Sequence, residues 1–154
     1  KKAAEGLKNE GQKVVTTAGF TPEMASHSLW LFGTPAENSV LKQFPSDKDK
    51  LGFLPAVPPR WKEEKPLPAG LVFKKEEMRG GALTGTMIAA HPKSPGKCIM
   101  FTMSLPEADP VAGSRKLEHY GKYSCLLFDG DKNIQKGIWA VSGESPMVWN
   151  AGKK

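Results

Sequence analysis

The chain has 154 residues, 39% of them hydrophobic and 25% charged, with a formal net charge of +6. That length suits one domain burying roughly two-thirds of its unfolded surface, and no apolar run approaches the ~20 residues that cross a bilayer as a helix; the longest, Leu29–Phe32 and Cys125–Phe128 among them, have four residues. The positive charge does not mark a basic face: Lys1, Lys2, Lys153 and Lys154 hold four of the charges at the termini, and residues 1–77 carry 12 basic and 10 acidic side chains against 10 and 6 in residues 78–154, so specific nucleic-acid binding is not expected.

Residues 1–20 read as a flexible or weakly ordered arm. Their first twelve residues are rich in Lys and Glu, and Lys13–Thr17 forms a short strand candidate closed by Ala18-Gly19. The chain begins at Lys1 with neither an initiator methionine nor a signal-like apolar segment, which suggests a processed or exported mature chain without settling the compartment. Residues 21–43 then repeat one helix-start chemistry. Thr21-Pro22-Glu23 and Thr34-Pro35-Ala36-Glu37 each place a hydroxyl at the cap, a proline where no N–H is needed and an acid in the first turn. The second is also a capping box. With Met24, Ala25, Leu29 and Phe32 at helical spacing and Gly33 as a stop, the pattern predicts a helical pair over about 22–32 and 35–43.

The next segment, 44–70, is the most unusual. Pro45, Pro55, Pro58, Pro59, Pro66 and Pro68 deny it helix or central strand. Yet Phe44, Leu51, Phe53, Leu54, Val57, Trp61 and Leu67 are too many apolar side chains for a solvated linker. Such an extended wrap covers its own domain or lies on a partner. Pro55-Ala-Val-Pro58, followed by Pro59-Arg60, has the spacing of a polyproline ligand for an aromatic groove. Phe53, Leu54, Val57, Arg60 and Trp61 are therefore the candidate partner-binding residues. The plainer reading is a stiff loop anchored by Trp61 over the chain's own sheet.

Residues 71–150 read as a mixed-sheet core. Strands are expected near 71–75, 82–90, 97–105, 123–128 and 134–141. The clearest is 97–105, where Ile99, Phe101, Met103 and Leu105 alternate with Cys98, Met100, Thr102 and Ser104. Pro106-Glu107 opens a helix expected to run to about His119, with Val111 and Leu117 inward. Asp129–Asn133 supplies a hairpin turn before 134–141. A β-α-β-β unit follows from that order, with Glu144–Trp149 as an extended edge. Cys98 and Cys125, both in strands, read as free buried thiols rather than a disulfide.

Catalytic and metal motifs are missing. His27, His91, His119, Cys98 and Cys125 show no local ligand spacing, so neither a metal nor another cofactor is expected. Asp129–Asn133 opens like a calcium loop but has Ile134 where glycine must turn and Ala140 where a bidentate glutamate is needed. The glycines at Gly80, Gly81 and Gly85 precede a strand rather than a helix, so they form no phosphate loop. Tyr120 and Tyr123 flank a corner, and Cys125 stands where an RNA-stacking strand needs its second aromatic.

The resulting expectation is a single α+β domain: a mixed four- to five-stranded sheet, N-terminal helices and a long proline-rich irregular segment. Its function is read as that of a non-catalytic accessory or binding subunit, docking on a larger protein assembly through the proline-rich segment and the N-terminal helices. No transmembrane segment is expected; peripheral membrane contact stays open. The alternative is a small hydrolase or ligand-binding enzyme with a pocket between the wrap and the sheet. Its candidate residues are His91, His119, Asp129 and Glu144, with Ser145, His119 and Asp129 as a conceivable triad.

Overall fold

The computed structural model describes residues 13–44, 50–59, 61–62, 64–106, 108–109 and 117–139. Among the described residues, eight strands form two sheets: β1 (Leu29–Phe32), β2 (Leu51–Leu54), β3 (Gly70–Phe73), β4 (Glu76–Arg79), β5 (Leu83–Ala90), β6 (Cys98–Ser104), β7 (Cys125–Asp129) and β8 (Lys132–Gly137). The larger sheet has the order β1-β6-β5-β7-β8, and the smaller is β2-β3-β4. Only β1 runs parallel to its neighbour; every other pairing is antiparallel.

Strand alternation decides which side chains meet between the sheets. Register places Leu31 opposite Phe101, Met87 opposite Phe101 and Cys125, and Gly85 opposite Met103 and Leu127, so these residues share one face. The smaller sheet supplies Leu51, Leu71 and Phe73, all fully buried, to the same core. Gly85 makes that approach close: a Cβ there would stand 2.5 Å from Leu51 Cδ1 and 3.4 Å from Leu71 Cδ1. Two layers of sheet packed face to face are thus the architecture.

The opposite face of the larger sheet is partly buried, and its buried centre carries hydroxyls. Thr86 donates to the Phe101 carbonyl at 2.9 Å and lies 3.0 Å from Thr102, whose Oγ1 accepts the Trp30 indole N–H at 2.9 Å. Because the Thr86 proton is committed to Phe101, Thr102 donates to Thr86, giving a directed chain from Trp30 to the backbone. Leu126 and Phe128 complete the face, with the Tyr120 ring edge-on to Phe128 at 5.8 Å. The core alternation expected for 97–105 is present, since Ile99, Phe101, Met103 and Leu105 are all buried.

The N-terminal helices are not. Residues 22–26 and 39–42 are single 3₁₀ turns, as are 17–19, where the strand candidate Lys13–Thr17 ends, and 117–120, the described end of the helix expected from Pro106; most of that last segment lies outside the described residues. The Thr-Pro-Glu starts do open turns, but Leu29-Trp-Leu-Phe32 leaves the helical path as β1. A four-residue apolar run fits a strand buried on both faces as well as a helix. Alternation wins here because Leu29 and Leu31 face the core while Trp30 and Phe32 stack at 4.8 Å on the other side. Gly33, at φ 98°, therefore ends a strand. Only the glutamate half of the capping box forms, without a helix behind it: Thr34 N–H and Oγ1 both donate to Glu37 Oε2, at 2.8 and 3.0 Å, while the Glu37 N–H donates to the Thr34 carbonyl. Asn38 then caps its own short turn by accepting from Val40 N–H.

The expected single sheet is in fact two. The strand placed near 71–75 belongs to the smaller one, and β1 takes its place in the larger. The β3–β4 hairpin turns through Lys74 and Lys75, at φ 53° and 70°. Two-residue turns of this kind favour Asn and Gly, so Lys-Lys gave no warning of it. The Asp129–Lys132 hairpin turns where expected, with Gly130 at φ 56°. Cys98 and Cys125 are both free thiols; the register puts them on opposite faces, since Cys98 pairs with Ala90 and Cys125 with Met87.

Candidate functional site: a proline-stiffened arm

β2 and β3 pair from Leu51↔Phe73 to Leu54↔Gly70, and the chain between them extends the ribbon away from the core. Val57 and Leu67 form one further antiparallel bridge, with N–H···O distances of 2.9 and 3.0 Å in the two directions. Arg79 fastens the two limbs at their base, its Nη1 donating to the Pro55 carbonyl at 3.1 Å and the Pro68 carbonyl at 3.0 Å. Prolines fix φ in both limbs. A local excursion with few backbone bonds is thereby given a defined course.

Every described residue from Pro55 to Pro68 is exposed. Trp61 is 75% exposed, Leu67 51% and Val57 36%. The candidate docking residues thus divide. Phe53 is half-buried and packs on the core, Leu54 is half-buried, Val57 and Trp61 project into solvent, and Arg60 lies outside the described residues. Trp61 does not anchor the segment to its own sheet; Phe44, 1% exposed, and Leu51 do that instead. Leu67 was missed as a partner of Val57, although its place between Pro66 and Pro68 was a signal. Arg79 was missed because nothing local ties it to residues 55 and 68.

Of the residues proposed for hydrolysis, Asp129 and His91 are held apart. Asp129 Oδ1 accepts from Ala82 N–H at 3.0 Å beside the start of β5, whereas His91 follows the end of that strand, roughly 25 Å further along it. His119 lines an open depression with Tyr120, Lys122, Tyr123 and Lys136. There both lysine ammonium groups sit over the Tyr123 ring, at 5.4 and 5.1 Å from its centroid. Glu144 and Ser145 lie outside the described residues. Among the described residues, no group of three or more His, Cys, Asp or Glu side chains is placed to hold a metal ion, and no helix is long and apolar enough to cross a membrane.

A separate cavity of about 180 Å³ lies where Phe44 and Lys50 meet β5, β6 and Trp139. Two buried ring nitrogens near it, His91 Nε2 and Trp139 Nε1, make no hydrogen bond among the described residues. A buried donor left unpaired costs about 1–3 kcal/mol.

The Cys125 thiol is pushed up from 9.0 to about 11 by burial, which the nearby Lys74 cation partly offsets. Such a thiol stays protonated and inert.

No family model matches the chain, and neither a curated protein nor a solved structure is significantly similar to it.

Proposed function

We propose that the chain is a non-catalytic accessory or binding subunit that seats its arm, Trp61 foremost, in an apolar groove of a larger protein. The observation that carries this reading is the 75% exposure of Trp61 on a pinned hairpin, with Val57 and Leu67 exposed behind it. Tryptophan dominates interface energetics because it buries a large rigid surface for few rotatable bonds. Prolines, the Val57–Leu67 bridge and Arg79 order the arm in advance, so docking loses less conformational entropy. Residues 39–44 spend Val40, Leu41 and Phe44 on the chain's own core, so the reading rests on the arm alone.

The test is a native pull-down with intact-mass detection, run in parallel on the wild-type chain and Trp61→Ala. A stoichiometric partner held by the wild type should be lost on substitution, with the melting temperature unchanged. Equal retention of the same partner would refute the reading, as would full protease protection of residues 55–68 in the isolated chain.

A further inference from the structure

The backbone of the arm restricts the kind of groove that can take it. Between Pro55 and Pro59, three of the five residues are proline and have no N–H. Val57 donates its own N–H to the Leu67 carbonyl at 2.9 Å and accepts from the Leu67 N–H at 3.0 Å. At most Ala56 is left to donate to a partner. A strand added to a sheet edge needs donors and acceptors repeating along its length, so this limb does not dock by strand addition.

The same prolines set a different course. Pro55, Pro58 and Pro59 hold φ at about −65°, and the residues before them, Leu54, Val57 and Pro58, are biased to extended backbone. Leu54 ends β2, and from Pro55 to Pro59 every residue is exposed and outside any named strand. A chain constrained in this way favours the polyproline II helix, with three residues per turn. Residues three apart share a ridge on such a helix, which pairs Pro55 with Pro58 and Leu54 with Val57. The spacing continues from Pro58 to Trp61, where the limb ends in a turn: the Trp61 carbonyl accepts from Glu64 N–H at 3.1 Å. Arg79, bonded to the Pro55 carbonyl at 3.1 Å, fixes the other end.

The limb thus presents pyrrolidine rings and carbonyl oxygens, with the Val57 side chain exposed between them. Aromatic side chains suit both features. Their faces receive the proline rings, and an indole N–H or a phenol O–H supplies the donor that a proline-rich ligand lacks.

Building on the docking role of the arm, we propose that its partner is a domain with a polyproline groove of parallel aromatic side chains, of the kind found in SH3 and WW domains. Pro55 and Pro58 enter that groove as one ridge, with Val57 beside them and Trp61 at its end.

The experiment is a ¹H–¹⁵N titration of the full chain with a panel of isolated SH3 and WW domains, following the Ala56 and Val57 amides. At least one domain should shift both saturably, with a Kd below about 100 μM. Pro55→Ala and Pro58→Ala should each weaken that domain about tenfold or more. Pro66→Ala, which loosens the other limb, should change it by less than about twofold. No saturable shift with any domain at about 1 mM would overturn the proposal, as would equal weakening by Pro58→Ala and Pro66→Ala. Failure here is separable from failure of the docking role. A partner lost from the native pull-down in Trp61→Ala, yet held by the Pro55→Ala/Pro58→Ala double variant, leaves the arm as the docking element and refutes the polyproline groove.

Discussion

The β2–β3 ribbon treats apolar side chains oppositely at its two ends. At its base, Leu51, Leu71 and Phe73 are completely buried against the larger sheet; at its tip, Val57, Leu67 and Trp61 stand in solvent. Local chemistry does not explain the difference, since both ends carry large apolar residues on paired backbone. The base lies over Gly85, whose missing side chain lets the two sheets close together, whereas the tip runs past the edge of that contact. Burial is thus set by what lies opposite.

The sharpest test of this contrast removes one apolar side chain from each end. Leu51→Ala should cost about 3 kcal/mol, since it opens a cavity in a filled core, while Trp61→Ala should change stability by no more than about 0.5 kcal/mol. Urea denaturation of both variants measures this, and comparable losses would mean that the tip is packed after all.

A smaller effect comes from Cys125 on the core side. Its folded pKa, about 11, lies above the ordinary 9.0, so between these values the unfolded chain releases a proton that the folded chain keeps. Stability supported by the neutral thiol is complete below pH 9.0 and declines as pH rises toward 11. Over that window the wild type should lose up to about 2 kcal/mol more than Cys125→Val. Parallel loss in the two proteins would show that this burial carries no titration penalty.

Arg79→Ala tests the tip without touching the core. Cutting the ties to Pro55 and Pro68 should speed tryptic cleavage at Lys62 several-fold, with global stability lowered by about 1 kcal/mol or less. Unchanged cleavage would mean that the prolines and the Val57–Leu67 bridge suffice. The smallest effect should come from replacing Lys74-Lys75 with Asn-Gly. Both residues have positive φ, so the exchange should raise the melting temperature by a few degrees, corresponding to about 0.5–1 kcal/mol.

How far these features were legible depended on how local their causes were. The 97–105 strand could be read because one residue in two is apolar, and the 129–133 turn because Asp, Gly and Asn tolerate its backbone. β1 was misread as helix because the Thr-Pro-Glu start is a sound local signal, and a four-residue apolar run does not report its period. β4 was invisible: Glu76–Arg79 has no strand composition and takes its shape from pairing with β3. The arm was recognised by its prolines, but whether it wrapped or projected was not.

Sequence by itself determined the strand of strict alternation, the glycine-assisted hairpin and the irregular, proline-rich course of residues 55–68, because each depends on the backbone preferences of neighbouring residues. Tertiary structure alone decided that there are two sheets, that β1 joins the edge of β6, that Arg79 fastens the arm, and that Trp61 faces solvent. Those outcomes depend on which surfaces meet across long stretches of chain, and no local preference encodes such a meeting.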